Sequence, residues 1–459
     1  MKSGSFNILR LFLVLLAVIF SLTACESESD TTTEIAETTE IMEEAKENAA
    51  ELESSVPIEI ENKIKEELQN FPSLYLDIAA DDIDHNEWAW GIKLSLQGAG
   101  EDFDIGKNVR VRVRGRGNAT WNAMGDKRPL RIRFEAPRSM FGTEYIARDW
   151  VLLANTMDYS LMRTVGALSL GARLGRFEFS PIPAQFVHLY LDGEYWGVYQ
   201  FTDQMRQGEG RVDVTPNPDP ELSEYYIEWD RHGRSSDVIF IYVQDIPFRI
   251  RYPNPEDITP EHIDFLSNFL HEIDQAIRDG DYDEVAALID IPTFIDFYLV
   301  NEFTKNADVF FSSVHLSVRI DEDNRHRLYA GPLWDFDQSA GGTSDDFYPD
   351  YSPQGTWAAE SNEWLRRLMR IPEFRTQVSQ RWFEIRDVEV ADTLAEIRYL
   401  STTYRDDFYR NFERWTNLLG QYLWRTPREM RAIDTYEGQV DYLLDWYEQR
   451  IVWMDEFLR

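Results

Sequence analysis

The chain of 459 residues has one cysteine, no basic tract, and seven histidines with no His-x-x-x-His pair among them. A lone cysteine excludes an intramolecular disulfide framework, a cysteine-based zinc cluster and an iron–sulfur site. The histidine spacing removes the common zinc-hydrolase signature. Basic residues number 46 against 82 acidic ones, for a formal charge of −36. Affinity for nucleic acid comes from Lys and Arg displacing counterions from phosphates, so no nucleic-acid partner is expected. What is abundant is apolar and aromatic: 43% hydrophobic residues, with 14 Trp and 22 Tyr. That is enough for sizeable cores in a mixed fold with large aromatic anchors.

The cysteine sits where a targeting signal would put it. Lys2 and Arg10 precede the apolar run Leu11 to Phe20, and Leu22-Thr23-Ala24-Cys25 follows. The run is too short to span a bilayer core and reads as the hydrophobic region of a signal peptide, residues 1–24. Leu-Thr-Ala-Cys resembles the bacterial lipobox, which implies that Cys25 is lipidated and becomes the mature N-terminus. Two or more acyl chains give stable membrane anchoring. Residues 26 to 57 hold eleven acids, one lysine and no aromatic residue. Such a segment buries too little apolar surface to offset its ordering entropy, so residues 25–72 are expected to form a solvated acidic tether.

From Leu74 the pattern predicts short strands: Leu74–Ile78, Ile92–Leu96, Val109–Arg114 and Leu130–Phe134. In the last, Leu130, Ile132 and Phe134 share one face while Arg131 and Arg133 share the other, the alternation of a half-buried strand. A hairpin pairs Gln185–Leu191 with Tyr195–Phe201 through Asp192-Gly193, a dipeptide suited to a tight primed turn. Between these strands Leu161, Val165, Leu168 and Leu174 predict a helix with Asp158 as its N-cap. Beyond residue 258 the periodicity is mainly helical, with Thr259-Pro260 and Ile291-Pro292 opening two helices. One strand pair, Val314–Ile320 and Arg327–Trp334, interrupts them, and the final helix covers Trp446–Phe457. The segment 206 to 258 gives no clear reading. The outline is α+β: a β-rich N-terminal half followed by a helix-rich C-terminal half.

Asp308 is expected at the end of the helix from Phe294, and Asp335 and Asp337 at the end of a strand, with a hairpin between the two stations. Carboxylates on the ends of rigid elements hold hard cations well. The same two-station layout runs phosphoryl transfer in kinases, where one Asp orients the attacking hydroxyl and another holds magnesium on the nucleotide.

Four separated blocks carry a resemblance: RGRGNATWNAMGDKRPLRIRF (114–134), WVLLANTMDYSLMRTVGALSL (150–170), VHLYLDGEYWGVYQFTDQM (187–205), and FYLVNEFTKNAD (297–308) with YAGPLWDFDQSAGG (329–342). Together they resemble the spore coat protein H (CotH) kinase family over residues 73–385, leaving 386–459 as a C-terminal helical extension. The resemblance implies an atypical, protein-kinase-like two-lobed fold. It also implies transfer of the γ-phosphate of ATP, with Mg²⁺ or Mn²⁺, to Ser or Thr of secreted or surface proteins. It places Asp308 at the catalytic-base position and Asp335 and Asp337 at the metal positions. Lys127 and Arg131 fall in the family's Lys-x-Pro-x-Lys/Arg pattern and are expected to face nucleotide phosphates. Asp203 and Gln204 follow the hairpin where a kinase hinge reads the nucleotide. Asp158 and Arg163 match the start of the inter-lobe helix as a structural pair. Where conventional kinases set an Asn about five residues after the catalytic Asp, this chain has Ser312 and Ser313, which makes Ser313 the candidate third metal ligand. The competing expectation is a catalytically silent surface or adhesion protein that keeps the fold, since fold alone does not fix function.

Overall fold

The computed structural model describes residues 71–122, 125–231, 238–343, 351–420 and 426–459. The signal segment, Cys25 and the tether up to residue 70 lie outside the described residues. All described residues belong to one compact unit, Glu59–Arg459. No helix among them is long and apolar enough to cross a membrane.

Alternating apolar strands dominate the first half, and they have to bury one face. They do so by closing on themselves. Strands β1 (Ser73–Leu76), β2 (Ala89–Gln97), β3 (Ile105–Gly115), β4 (Leu130–Arg138), β5 (Ala147–Leu153), β6 (Gln185–Leu191) and β7 (Glu194–Asp203) form a barrel in the order β1-β2-β3-β4-β5-β7-β6. A parallel ladder between β1 and β6 closes it, setting Leu74 opposite Leu189 and Leu76 opposite Leu191. Closure removes the exposed strand edges that invite aggregation. Leu130, Ile132 and Phe134 point into the barrel core with Val111, Val113, Trp150 and Phe201, while Arg131 and Arg133 point outward, as the alternation predicts. The β6–β7 hairpin turns at Asp192 and Gly193, both at positive φ (47° and 80°), the backbone of a primed turn.

A second sheet takes three of its five strands from the segment that the sequence left unread. Strands β8 (Tyr225–Trp229), β9 (Phe240–Val243), β10 (Ile246–Tyr252), β11 (Val314–Ile320) and β12 (His326–Ala330) run in the order β12-β11-β8-β10-β9. Every residue of β8 is buried, so it shows no polar alternation, the pattern of a strand covered on both faces. β12 stops at Ala330, four residues before the predicted end, because Pro332 has no N–H to continue a ladder.

Four helices matter for the site: α1 (Arg163–Leu174), α2 (Pro260–Asp279), α3 (Ile291–Thr304) and α4 (Tyr436–Phe457). α1 begins four residues later than the Asp158 cap predicted. Asp158 still serves its N-terminus, accepting from the Arg163 backbone N–H at 2.7 Å and pairing with the Arg163 guanidinium at 2.5 Å, both side chains being fully buried. α3 is buried along nearly its whole length. The C-terminal helices pack into the same core: in α4, Tyr447 stacks on Phe303 of α3 with ring centroids 5.0 Å apart, and Arg450 pairs with buried Glu302 at 2.7 Å.

Candidate active site

A cavity of about 530 Å³ is lined by the turn after β3, the loops after β5 and β7, strands β8 and β10, and the segments 308–315 and 334–338. Barrel, second sheet and helical loops therefore all contribute walls. Asp308, Ser313, Asp335 and Asp337, drawn from both sides of the β11–β12 hairpin, meet there.

Asp308 is not a helix terminus. α3 closes at Lys305, whose positive φ of 46° ends the helix and whose backbone N–H returns to Asn301 and Glu302 carbonyls. Asp308 lies beyond it in a tight turn, 8% exposed, with its carbonyl accepting from the backbone N–H groups of Phe311 and Ser312. The turn is tied back to α3 through side chains. Asn306 donates to Asn301 Oδ1 at 3.1 Å and accepts from the Asp308 backbone N–H at 3.1 Å.

Ser313 donates its hydroxyl to Asp335 Oδ2 at 2.9 Å. Both residues hold positive φ, 60° and 68°. That is a costly backbone state for non-glycine residues, and such outliers concentrate at functional sites. The loop bearing Asp335 and Asp337 is clamped from behind: Arg163 Nε donates to the Ser339 carbonyl at 3.0 Å, and Ala340 N–H donates to the Thr304 carbonyl at 2.6 Å. The predicted Asp158–Arg163 pair thus braces the carboxylate loop.

Arg116, inside the Gly-x-Gly turn, supplies the positive charge opposite. Burial lowers its pKa, and the charges of Asp335 and Asp337 act to raise it again. Its guanidinium lies 5.5 Å over the ring of Trp334. Gly117 follows at φ 86°, and a β-carbon there would meet Thr120 Oγ1 at 2.2 Å, so the turn depends on glycine.

The remaining predicted residues divide. Gln204 lines the cavity. Asp203 does not: it is fully buried, bonded to Arg211 at 2.5 Å, Tyr145 at 2.9 Å and the Ile182 N–H at 3.0 Å, an anchor for the end of β7 rather than a reader of nucleotide. Lys127 is not on the cavity wall either. It is 1% exposed, donates to the Ala154 carbonyl at 2.7 Å, and lies 5.0 Å from the Tyr199 ring. Burial without a carboxylate pushes its pKa down to about 7. Arg131 pairs with Asp149 at 2.7 Å and lines a neighbouring groove. The alternation of β4 put Arg131 on the outer face correctly, but that face belongs to the groove.

Sequence reading missed Glu228, Asp230, Arg249, Arg251 and His315, all on the cavity wall. Glu228 pairs with Arg251 at 3.1 Å. His315 accepts from or donates to Tyr226 at 2.8 Å, and burial drives its pKa well below the usual value, so it is a neutral imidazole. The available signal was an acid inside the otherwise apolar run Tyr225–Trp229 and the alternation Phe248-Arg249-Ile250-Arg251.

Asp308, Ser313, Asp335 and Asp337 bring carboxylate and hydroxyl oxygens to this cavity. Among the described residues no group of three or more His, Cys, Asp or Glu forms a ready-made metal cage. Mg²⁺ and Mn²⁺ sites of phosphoryl-transfer enzymes need none, since they take one or two carboxylates and complete their shell with phosphate oxygens and water. Asp335 and Asp337 fit that requirement.

The fold and cavity define an α+β protein with paired carboxylates and an arginine facing a space of nucleotide size. Residues 111–454 match the family described as CotH kinase protein, and the chain belongs to that family. No curated protein matches the chain closely enough to name as a relative.

Proposed function

We propose that this protein is an extracytoplasmic kinase of two-lobed, protein-kinase-like design, anchored through lipid on Cys25, which transfers the γ-phosphate of ATP to Ser or Thr of secreted or surface proteins. One observation carries this reading: Asp308 and the Asp335–Asp337 pair, 27 residues apart at their nearest by sequence number, line one cavity with Ser313 and Arg116.

In this reading Asp335 and Asp337 would hold a divalent cation, with Ser313 orienting the Asp335 carboxylate. The cation, when bound, neutralises charge on the nucleotide phosphates. Arg116 adds a fixed positive charge on the same side, and the Gly117 turn brings backbone close to phosphate. Gln204 contacts the nucleotide from the β7 side. Asp308 accepts the proton of the acceptor hydroxyl as its oxygen bonds to the γ-phosphorus. The bond from that phosphorus to the bridging oxygen breaks, and ADP carries away the electron pair.

A second reading, a silent binding protein on the same fold, draws on Ser313 standing where kinases use Asn. The two readings separate on incubating the full chain with γ-labelled ATP and Mg²⁺ or Mn²⁺ beside Ser-rich proteins. The kinase reading expects labelled protein, and it expects Asp335→Asn to lose the metal-dependent thermal shift in ATP. ATP binding without transfer under any metal supports the silent scaffold. Anchoring is tested separately: Cys25→Ser is expected to leave the membrane fraction or to remain unprocessed, and normal processing with retention contradicts it.

A further inference from the structure

Beside the cavity runs a groove of about 620 Å³ that shares Gln204, Arg249 and Arg251 with it. Its walls present Arg114, Arg131, Arg133, Arg206, Arg249 and Arg251. Among the described residues three carboxylates pair with them: Asp149 serves Arg131, Arg133 and Arg206, Asp230 serves Arg249, and Glu228 serves Arg251. Six cations against three anions leave a local excess of positive charge on a protein whose formal charge is −36.

The register makes this arrangement costly for the fold. β3 and β4 set Arg112 directly opposite Arg133 and Arg114 directly opposite Arg131. Like charges facing across an antiparallel pair destabilise a sheet. Trp88 relieves part of the repulsion, its ring lying 4.9 Å, 5.5 Å and 5.0 Å from the guanidinium carbons of Arg114, Arg131 and Arg133. The relief is incomplete, because Arg114 Nε is buried with no hydrogen-bond partner. Consistent with this, burial and the charge of Arg133 lower the pKa of Arg114. Guanidinium forks match carboxylates and phosphates in two-point contact.

We propose that this groove binds an anionic peptide segment, rich in Asp and Glu or already phosphorylated, that flanks the acceptor residue entering the adjoining cavity. A nucleotide is the poorer occupant, because Asp335, Asp337 and Arg116 line the other space. Peptide binding stands on the groove alone. Its role in choosing the acceptor rests on the phosphotransfer reading above.

The test uses the full chain and fluorescently labelled peptides: a Ser peptide flanked by glutamates, the same peptide flanked by phosphoserines, and a glutamine-flanked control. Fluorescence anisotropy is expected to show binding of both anionic peptides, weakened by salt and undisturbed by saturating ATP with Mg²⁺. Arg114→Gln with Arg206→Gln is expected to weaken it about tenfold or more with no loss of thermal stability. The tighter of the two anionic peptides identifies an acidic or a pre-phosphorylated acceptor. Equal affinity for the glutamine control, wild-type affinity in the double variant, displacement by ATP, or a preference for anionic vesicles over both peptides overturns the proposal. In the transfer assay the double variant is expected to raise KM for anionic acceptors and leave kcat for the neutral acceptor unchanged. Anionic binding without any transfer leaves the groove standing and removes the kinase reading.

Discussion

Lys127 shows how a single residue can match a motif and still serve the fold. Its ammonium is held at 1% exposure against the Ala154 carbonyl, and its pKa falls to about 7 from a value near 10.4 in an unfolded chain. Between those values the unfolded chain binds a proton that the folded chain does not. The stability contribution is therefore fully present above the unfolded pKa and is lost as pH falls through about 7. Wild type is expected to gain thermal stability relative to Lys127→Met between neutral pH and about pH 9, below the range where tyrosines ionise. A difference constant over that window contradicts a buried, titrating Lys127. That Asp308, Ser313, Asp335 and Asp337 meet at one cavity was legible because the chain writes them in two short blocks whose spacing survives folding. That Asp203 and Lys127 lie off the cavity wall was not legible, because a sequence gives the face of a strand and not what lies beyond its end: Arg211 claims Asp203, and Lys127 is buried against the Ala154 carbonyl.

At the scale of elements, α3 positions Asp308, and α4 fixes α3. Arg450 reaches the Glu302 carboxylate at 2.7 Å with both side chains fully buried, and the same carboxylate accepts the Trp357 and Ala359 N–H groups at 2.6 Å and 3.0 Å. Arg450→Met strands a buried negative charge, an expected loss of about 3–5 kcal/mol in urea unfolding. A loss under about 1 kcal/mol would contradict so tight a coupling of the final helix to the segment that carries Asp308. The barrel strands other than β5, the Asp192-Gly193 hairpin and the helices opened by Pro260 and Pro292 were readable from period and turn chemistry. Of the second sheet, the β11–β12 pair was readable and β8, β9 and β10 were not. β8 lacks alternation because it is buried throughout, and it pairs with β11 across more than eighty residues of chain, Val314 opposite Trp229. Long-range pairing of that kind leaves no local pattern.

At the scale of the molecule, acidic residues predominate while arginines gather where barrel and second sheet meet, on the walls of the cavity and its groove. That segregation favours approach of anionic reactants to one place. The central claim is that the cavity performs phosphoryl transfer with Asp308 acting on the acceptor rather than on ATP. The direct test compares wild type with Asp308→Asn, measuring nucleotide affinity by calorimetry and phosphate transfer from labelled ATP on the same preparations. Nucleotide affinity is expected to remain nearly unchanged while transfer falls by about 10²-fold or more, the scale of general-base catalysis. Equal transfer by the two proteins, or loss of affinity and rate in the same proportion, would contradict the account.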